Sequence, residues 1–290
     1  MAGVTDRSAP GVADTAPASG AELDHRAGLI VALLAGAAVA FGGRGGPIPL
    51  LVAVGALQAG IAVAWAYGSG LPGRTGSVIV AGMAAAGADV TVSIWPHSRL
   101  GTMLIVAGLA LPVMFVHQVA RGAARVRLVD SLAGTSIAVV STVGLAAFVQ
   151  LRHEWVSPAT GGKVVAGIAA AIGCAQVVGY LVDLVTPAPH FDPSVPRGLL
   201  GVIGSAGVGG SIGHLMLRTD AEFVNGRGAF VGAAVGALVG FLAVAVAFVL
   251  ASAPVTESTV LRRLRPWIGA LVPIGLTAPI AYLLCLAVRA

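Results

Sequence analysis

The stretch Ala229–Ser252 reads A-F-V-G-A-A-V-G-A-L-V-G-F-L-A-V-A-V-A-F-V-L-A-S, without one charged residue. A helix needs about 20 apolar residues to cross the hydrocarbon core of a bilayer, with a range of about 17–25. In lipid the backbone must satisfy its own hydrogen bonds, which leaves only helices and closed barrels. A run this long and continuous predicts a membrane-spanning helix.

Working outward, similar apolar segments lie at 27–42, 47–67, 76–95, 101–120, 129–150, 164–185, 198–217 and 267–288. The first is short and is followed by G-G-R-G-G at 42–46. It is compatible with a re-entrant or tilted piece, which would leave eight spans. The connectors are short, so residues 27–290 are expected to form a single transmembrane domain. Residues 1–26 are rich in Ala, Pro, Ser and Gly and carry Asp6, Asp14, Glu22 and Asp24. They read as a disordered cytoplasmic tail and lack the basic start of a signal peptide.

Composition agrees. Hydrophobic residues make up 57% of the 290 and charged residues 10%, whereas a soluble domain carries roughly 25% charge. Mean hydropathy is +0.94. The expected fold class is all-α, a polytopic membrane bundle of about nine transmembrane helices. Its place is the cell membrane, a bacterial-type inner membrane. Of the 17 Lys and Arg residues, ten fall in the N-terminal tail and the even-numbered connectors and seven on the opposite side. That asymmetry favours a cytoplasmic N-terminus and an outside C-terminus. The four tryptophans, Trp65, Trp95, Trp155 and Trp267, fall at expected membrane interfaces. No basic arm for nucleic acid is present. Membrane lipids, an anionic phospholipid above all, are the natural partners, and a homodimer stays open. Cys174 and Cys285 sit in apolar runs, without disulfide or zinc spacing.

Small residues foretell the packing. Gly228, Gly232, Gly236 and Gly240 recur every four residues, as do Gly201, Ser205, Gly209 and Gly213. Such rows let helix backbones approach closely. The segment G-V-G-G-S-I-G at 207–213 lies inside an apolar run, with no strand before it and no Lys after it. It is not a phosphate loop.

Ionisable residues within spans are functional candidates by default. Asp89 lies inside the third span and is the clearest, because a carboxylate at that depth must be protonated, paired or wetted. Asp130 and Asp183 sit at span ends, where water is within reach. His117 and His214 fit interhelical hydrogen bonds. In the sixth span, A-Q-V-V-G-Y-L-V-D at Ala175–Asp183 puts Gln176, Tyr180 and Asp183 at i, i+4 and i+7. One face of an apolar helix therefore carries a polar stripe. It is either helix–helix glue or the wall of a site.

From about residue 129 the order of features resembles the integral-membrane phosphatidate cytidylyltransferases, which join CTP to phosphatidic acid. That family carries D-T-x-A-Y on a helix, then a loop S-P-K-K-T-x-E-G; here the stretches are Q-V-V-G-Y at Gln176–Tyr180 and S-V-P-R-G-L-L-G at Ser194–Gly201. Upstream, S-T-V-G-L-A-A-F-V-Q-L-R at 141–152 is similar to the family's Y-V-G-L…L-R helix end. Downstream, P-V-T-E-S-T-V-L-R-R at Pro254–Arg263 resembles G-D-L-x-E-S-x-x-K-R. The family's first Asp is Gln176 here, its loop Glu is Leu200, the Asp before E-S is Pro254, and its later acids are absent. Cytidylyl transfer between two polyanions needs metal ions held by carboxylates, and Gln176 brings no charge.

The resemblance therefore implies a catalytically silent relative that binds a lipid phosphate or a partner enzyme. The binding residues it implies are Gln176, Tyr180, Asp183, Ser194, Arg197, Glu257, Ser258 and Arg262, on the cytoplasmic side. No catalytic residue, metal ligand or cofactor is expected. Mg²⁺ enters only under the alternative of a live enzyme using shifted acids such as Asp183 or Asp130. A further alternative, of another class, is a small transporter with Asp89 as its coupling site.

Overall fold

The structure, a computed structural model, describes residues 18–96, 100–122, 127–186, 188–192, 195–252 and 259–289. These residues form α-helices joined by short connectors, with no strand among them: α1 (Ala18–Gly45), α2 (Pro47–Gly68), α3 (Arg74–Ile94), α4 (Gly101–Ala120), α5 (Leu128–Leu145), α6 (Ala147–His153), α7 (Pro158–Val185), α8 (Leu199–Leu217), α9 (Arg227–Ser252) and α10 (Thr259–Arg289). Among the described residues, nine helical stretches are long and apolar enough to cross a membrane, with α5 and α6 together making one. The chain is an all-α, multi-pass membrane bundle.

The first apolar segment is not a fragment. Its candidate span runs from His25 to Gly45, 21 residues. The helix starts earlier still, at Ala18, within the stretch whose composition suggests a tail. Ala18, Ala21, Glu22 and Leu23 are all good helix formers, so the helix extends upstream of the apolar run. Residues 1–17 lie outside the described residues. The turn into α2 is made by Gly46, at φ 125°, a conformation that only glycine adopts freely. Pro47 then opens α2, where its missing N–H costs nothing.

The glycine rows pack against each other. A Cβ added at Gly209 would strike the Gly232 carbonyl oxygen, and one at Gly236 would strike that of Ser205. At Gly240 it would come 3.2 Å from Val202 Cα. Helices α8 and α9 thus touch backbone to backbone, the geometry that small residues at every fourth position permit. Helices α1 and α7 do the same at Gly36, where a Cβ would lie 2.8 Å from Gly173 Cα. A third such crossing accompanies the break between α5 and α6 at Ala146. Two residues before it, Gly144 faces the Gly275 carbonyl of α10 too closely for any side chain.

Nine crossings put the start of α1 and the end of α10 at opposite ends of the bundle. We call these the N face and the C face. At the N face, Ser131 donates to the Pro72 carbonyl (3.0 Å). At the C face, Gln150 donates to the Pro96 carbonyl (2.6 Å) and Arg152 to that of Gly43.

Two of the four tryptophans depart from the interface expectation. Trp95 and Trp267 are exposed at helix ends, but Trp155 (7% exposed) and Trp65 (1% exposed) belong to the core. A place near a helix end gives depth along the bundle and not radial position. Asp130 is exposed and pairs with Arg127 at 2.8 Å, as a boundary residue should. His214 is exposed on the bundle's flank. The buried Nε2 of His117 has no hydrogen-bond partner, so the bond between helices expected of it is not made there.

Gly236→Leu is expected to lower stability by overpacking, by about 1–3 kcal/mol. At Gly82, by contrast, an added Cβ meets nothing within 4 Å. Gly82→Ala should therefore melt in detergent no lower than the unaltered protein. Equal melting of Gly236→Leu and the unaltered protein would mean that α8 and α9 do not touch as described.

Candidate functional site

The polar stripe of α7 lies on a buried face. Gln176 is 1% exposed, Tyr180 4% and Asp183 6%. Each reaches a different neighbour. Gln176 Nε2 donates to the Gly269 carbonyl of α10 at 3.0 Å. Tyr180 stands where α1 and α10 are smallest: a Cβ at Gly28 would lie 2.7 Å from its ring, and one at Gly269 would lie 3.0 Å from its hydroxyl. Asp183 Oδ1 accepts from the Gly198 N–H at 2.9 Å. Gly201, on α8, leaves the space that the Asp183 carboxylate fills.

Arg197 completes the cluster. It comes from the α7–α8 connector, immediately before the helix it precedes. Its guanidinium sits 4.1 Å from the centre of the Tyr180 ring, a cation–π arrangement. Its Nη1 is 3.5 Å from Asp183 Oδ2, and the side chains are only 7% and 2% exposed. A good charge-assisted bond is about 2.7–2.9 Å, so this pair is long and loosely engaged. Both charges are out of water all the same, and removing one partner of such a pair is costly.

Two contributors were not marked by the sequence. His25, within the stretch assigned to the tail, meets the Tyr180 ring edge-on at 5.9 Å. Its Nε2 is 2.9 Å from the Pro196 carbonyl. The start of α1 is thereby tied to the connector that carries Arg197. Ser205 donates to the carbonyls of Ala175 and Gly201, at 2.8 Å each, linking α8 to α7. Its position in the small-residue row signals close packing, but nothing there signals a polar bond across helices.

Gln176, Asp183, Arg197, Gly201 and Ser205 help line a cavity of ≈ 10 Å³. That is room for about one water and far too little for a phosphate. The Gln176 Oε1 is buried without a partner. The structure thus brings together Gln176, Tyr180, Asp183 and Arg197. Ser194, Glu257 and Ser258 lie outside the described residues, as does the side chain of Arg262, whose backbone is in the first turn of α10. Among the described residues, no three His, Cys, Asp or Glu side chains are grouped to hold a metal ion.

Asp89 belongs to a different part of the bundle. Its Oδ1 accepts from Gln58 Nε2 at 3.1 Å, and the same nitrogen donates to the Thr142 carbonyl at 3.0 Å. This links α2, α3 and α5, away from the α7 stripe.

No family model matches the chain, and no curated protein or solved structure matches it. The family resemblance therefore rests on the quoted residues alone.

Two substitutions separate the clamp from the orphaned amide. Asp183→Ala strands a buried guanidinium and should cost about 3–5 kcal/mol. Gln176→Met loses one hydrogen bond, worth about 0.5–1.5 kcal/mol, and removes an unsatisfied oxygen whose burial costs about 1–3 kcal/mol. It should be near neutral or stabilising. Detergent melting of the two variants checks this, and equal losses would contradict it.

Proposed function

We propose that this protein is a non-catalytic, multi-pass membrane protein that binds an anionic lipid phosphate at the N face, with Arg197 as the principal contact. One observation carries the reading: Arg197 is buried and braced against Tyr180, yet the ion pair it makes among the described residues is a long one, to Asp183 at 3.5 Å. An arginine held this way has its planar fork in place and an internal anion opposite at a distance too long for a good charge-assisted bond. The Asp183 carboxylate occupies the position of a ligand anion. A lipid phosphate arriving from the leaflet exchanges for it and makes two parallel charge-assisted bonds.

The cavity beside the pair is too small for a headgroup, so binding involves movement of the α7–α8 connector. That connector is not helical, and its described bonds include His25 to Pro196, the Gly198 N–H to Asp183, and the Leu199 N–H to the Pro189 carbonyl at 3.0 Å. Such a segment opens at lower free energy than the helices around it.

Charge supports the non-catalytic reading. Where the resembling family has a carboxylate, this chain has Gln176, and Asp183 on the same helix face already faces a guanidinium. The basic asymmetry of the connectors favours the N face on the cytoplasmic side, where the inner leaflet supplies anionic lipid.

Two measurements on purified protein test this reading. With CTP, phosphatidic acid and Mg²⁺, no CDP-diacylglycerol should form. In native mass spectrometry, Arg197→Ala should retain less phosphatidic acid, by roughly 1.5–3 kcal/mol of lost charged hydrogen bonding, or about ten- to a hundredfold. Magnesium-dependent product would overturn the silent reading. Unchanged lipid retention in Arg197→Ala would overturn the site.

A further inference from the structure

At the C face, α7 begins beneath the connector from α8 to α9, and the end of α10 closes the side. These elements frame an open pocket of ≈ 310 Å³ whose lining includes Trp155, Thr160, Thr219, Asp220, Glu222 and Arg289. The volume falls at the small end of sites for small molecules, which span about 300–1,000 Å³.

The walls are firmly built. Trp155 Nε1 donates to Glu222 Oε2 at 2.8 Å, and Arg289 Nε lies 3.0 Å from the same oxygen. The Arg289 guanidinium lies 4.9 Å from the centre of the Trp155 ring, and Phe223 stacks on that ring at 6.3 Å. Arg289 also donates to the Glu154 carbonyl at 2.7 Å, while Tyr282 donates to the Glu154 carboxylate at 2.6 Å.

Charge balance singles out Asp220. Glu222 is neutralised by Arg289, which is thereby committed. Asp220 is 9% exposed, and its Oδ2 is buried with no hydrogen-bond partner. It makes no salt bridge with any described residue. It stands at the start of the 3-10 turn Ala221–Phe223, but its side chain does not cap that turn. A buried carboxylate without partners is expensive, and here it sits on the wall of a pocket. The same pocket lining carries Thr160 and Thr219, and an unsatisfied carboxylate on a wall shared with hydroxyl side chains asks for a cation that can donate hydrogen bonds.

We propose that this pocket binds a primary ammonium group, with its charge on Asp220 and its N–H donors shared between Asp220 and the hydroxyls of Thr160 and Thr219. A hard metal ion fits less well, because Ca²⁺ takes six to eight oxygen ligands and no three acidic or histidine side chains are grouped here among the described residues. An anion is disfavoured, since the arginine on the wall is already paired. The ammonium has two sources, a free alkylamine or the ethanolamine headgroup of a lipid.

Thermal melting and calorimetry on the full chain in detergent test the site, with ethanolamine as the probe. Ethanolamine should raise the melting temperature saturably, while tetramethylammonium and NaCl at equal ionic strength should not. Asp220→Asn should weaken binding at least tenfold, and Thr160→Val should weaken it less. If Asp220→Asn does not fold, the unaltered protein and Thr160→Val decide. In nanodiscs, competition by phosphatidylethanolamine but not phosphatidylcholine would assign the lipid source; no competition would assign the free amine. The proposal fails if neither ethanolamine nor phosphatidylethanolamine binds. It also fails if tetramethylammonium binds equally well, or if the variants bind as the unaltered protein does.

Discussion

Helix α7 is gripped by backbone contact that glycine makes possible. It meets α1 at Gly36 and Gly173, and α8 at Gly179 and Gly201. In lipid there is no hydrophobic drive between helices, so contact area and hydrogen bonds must hold them together. Each glycine removes a side chain that would hold the axes apart. The polar residues of α7 depend on this closeness. Tyr180 fits because Gly28 and Gly269 leave it space, and Asp183 reaches the α7–α8 connector because Gly201 does. A methyl group at Gly28, Gly269 or Gly201 would meet Tyr180 or Asp183 first.

The cluster then serves two ends of the same chain. Asp183 receives the N–H of Gly198 and faces Arg197, fixing where α8 begins. His25 reaches the Pro196 carbonyl, fixing where α1 enters. Buried ion pairs seldom add much net stability over an apolar equivalent. What this pair supplies is position: it holds an arginine under the surface of the N face, against an aromatic ring, with a carboxylate opposite.

Much of this was readable before folding. Span positions follow from apolar runs of bilayer length, and the α8–α9 contact follows from small residues at every fourth position. The stripe of Gln176, Tyr180 and Asp183 follows from helical spacing. Other features carry no local mark. The sequence assigns Asp183 and Arg197 to one site, but not to each other, because pairing across a connector depends on its path. His25 reads as part of a polar tail, since its partner is a carbonyl far along the chain. Trp65 reads as an interface residue, because position along a helix says nothing about which way the ring points. Asp220 and Glu222 look like ordinary loop acids until the end of α10 is laid beside them.

The two faces thus carry opposite unsatisfied chemistry: a loosely paired arginine at one end and an unpaired carboxylate at the other. In the proposed function, Asp183 is an internal stand-in for a phosphate. The most direct test is the melting of Asp183→Asn with and without phosphatidic acid. The variant should melt lower than the unaltered protein, and phosphatidic acid should restore more of its stability than it adds to the unaltered protein. Phosphatidylcholine should do neither. An equal response of the two proteins to phosphatidic acid would show that Arg197 and Asp183 form a structural clamp and no anion site.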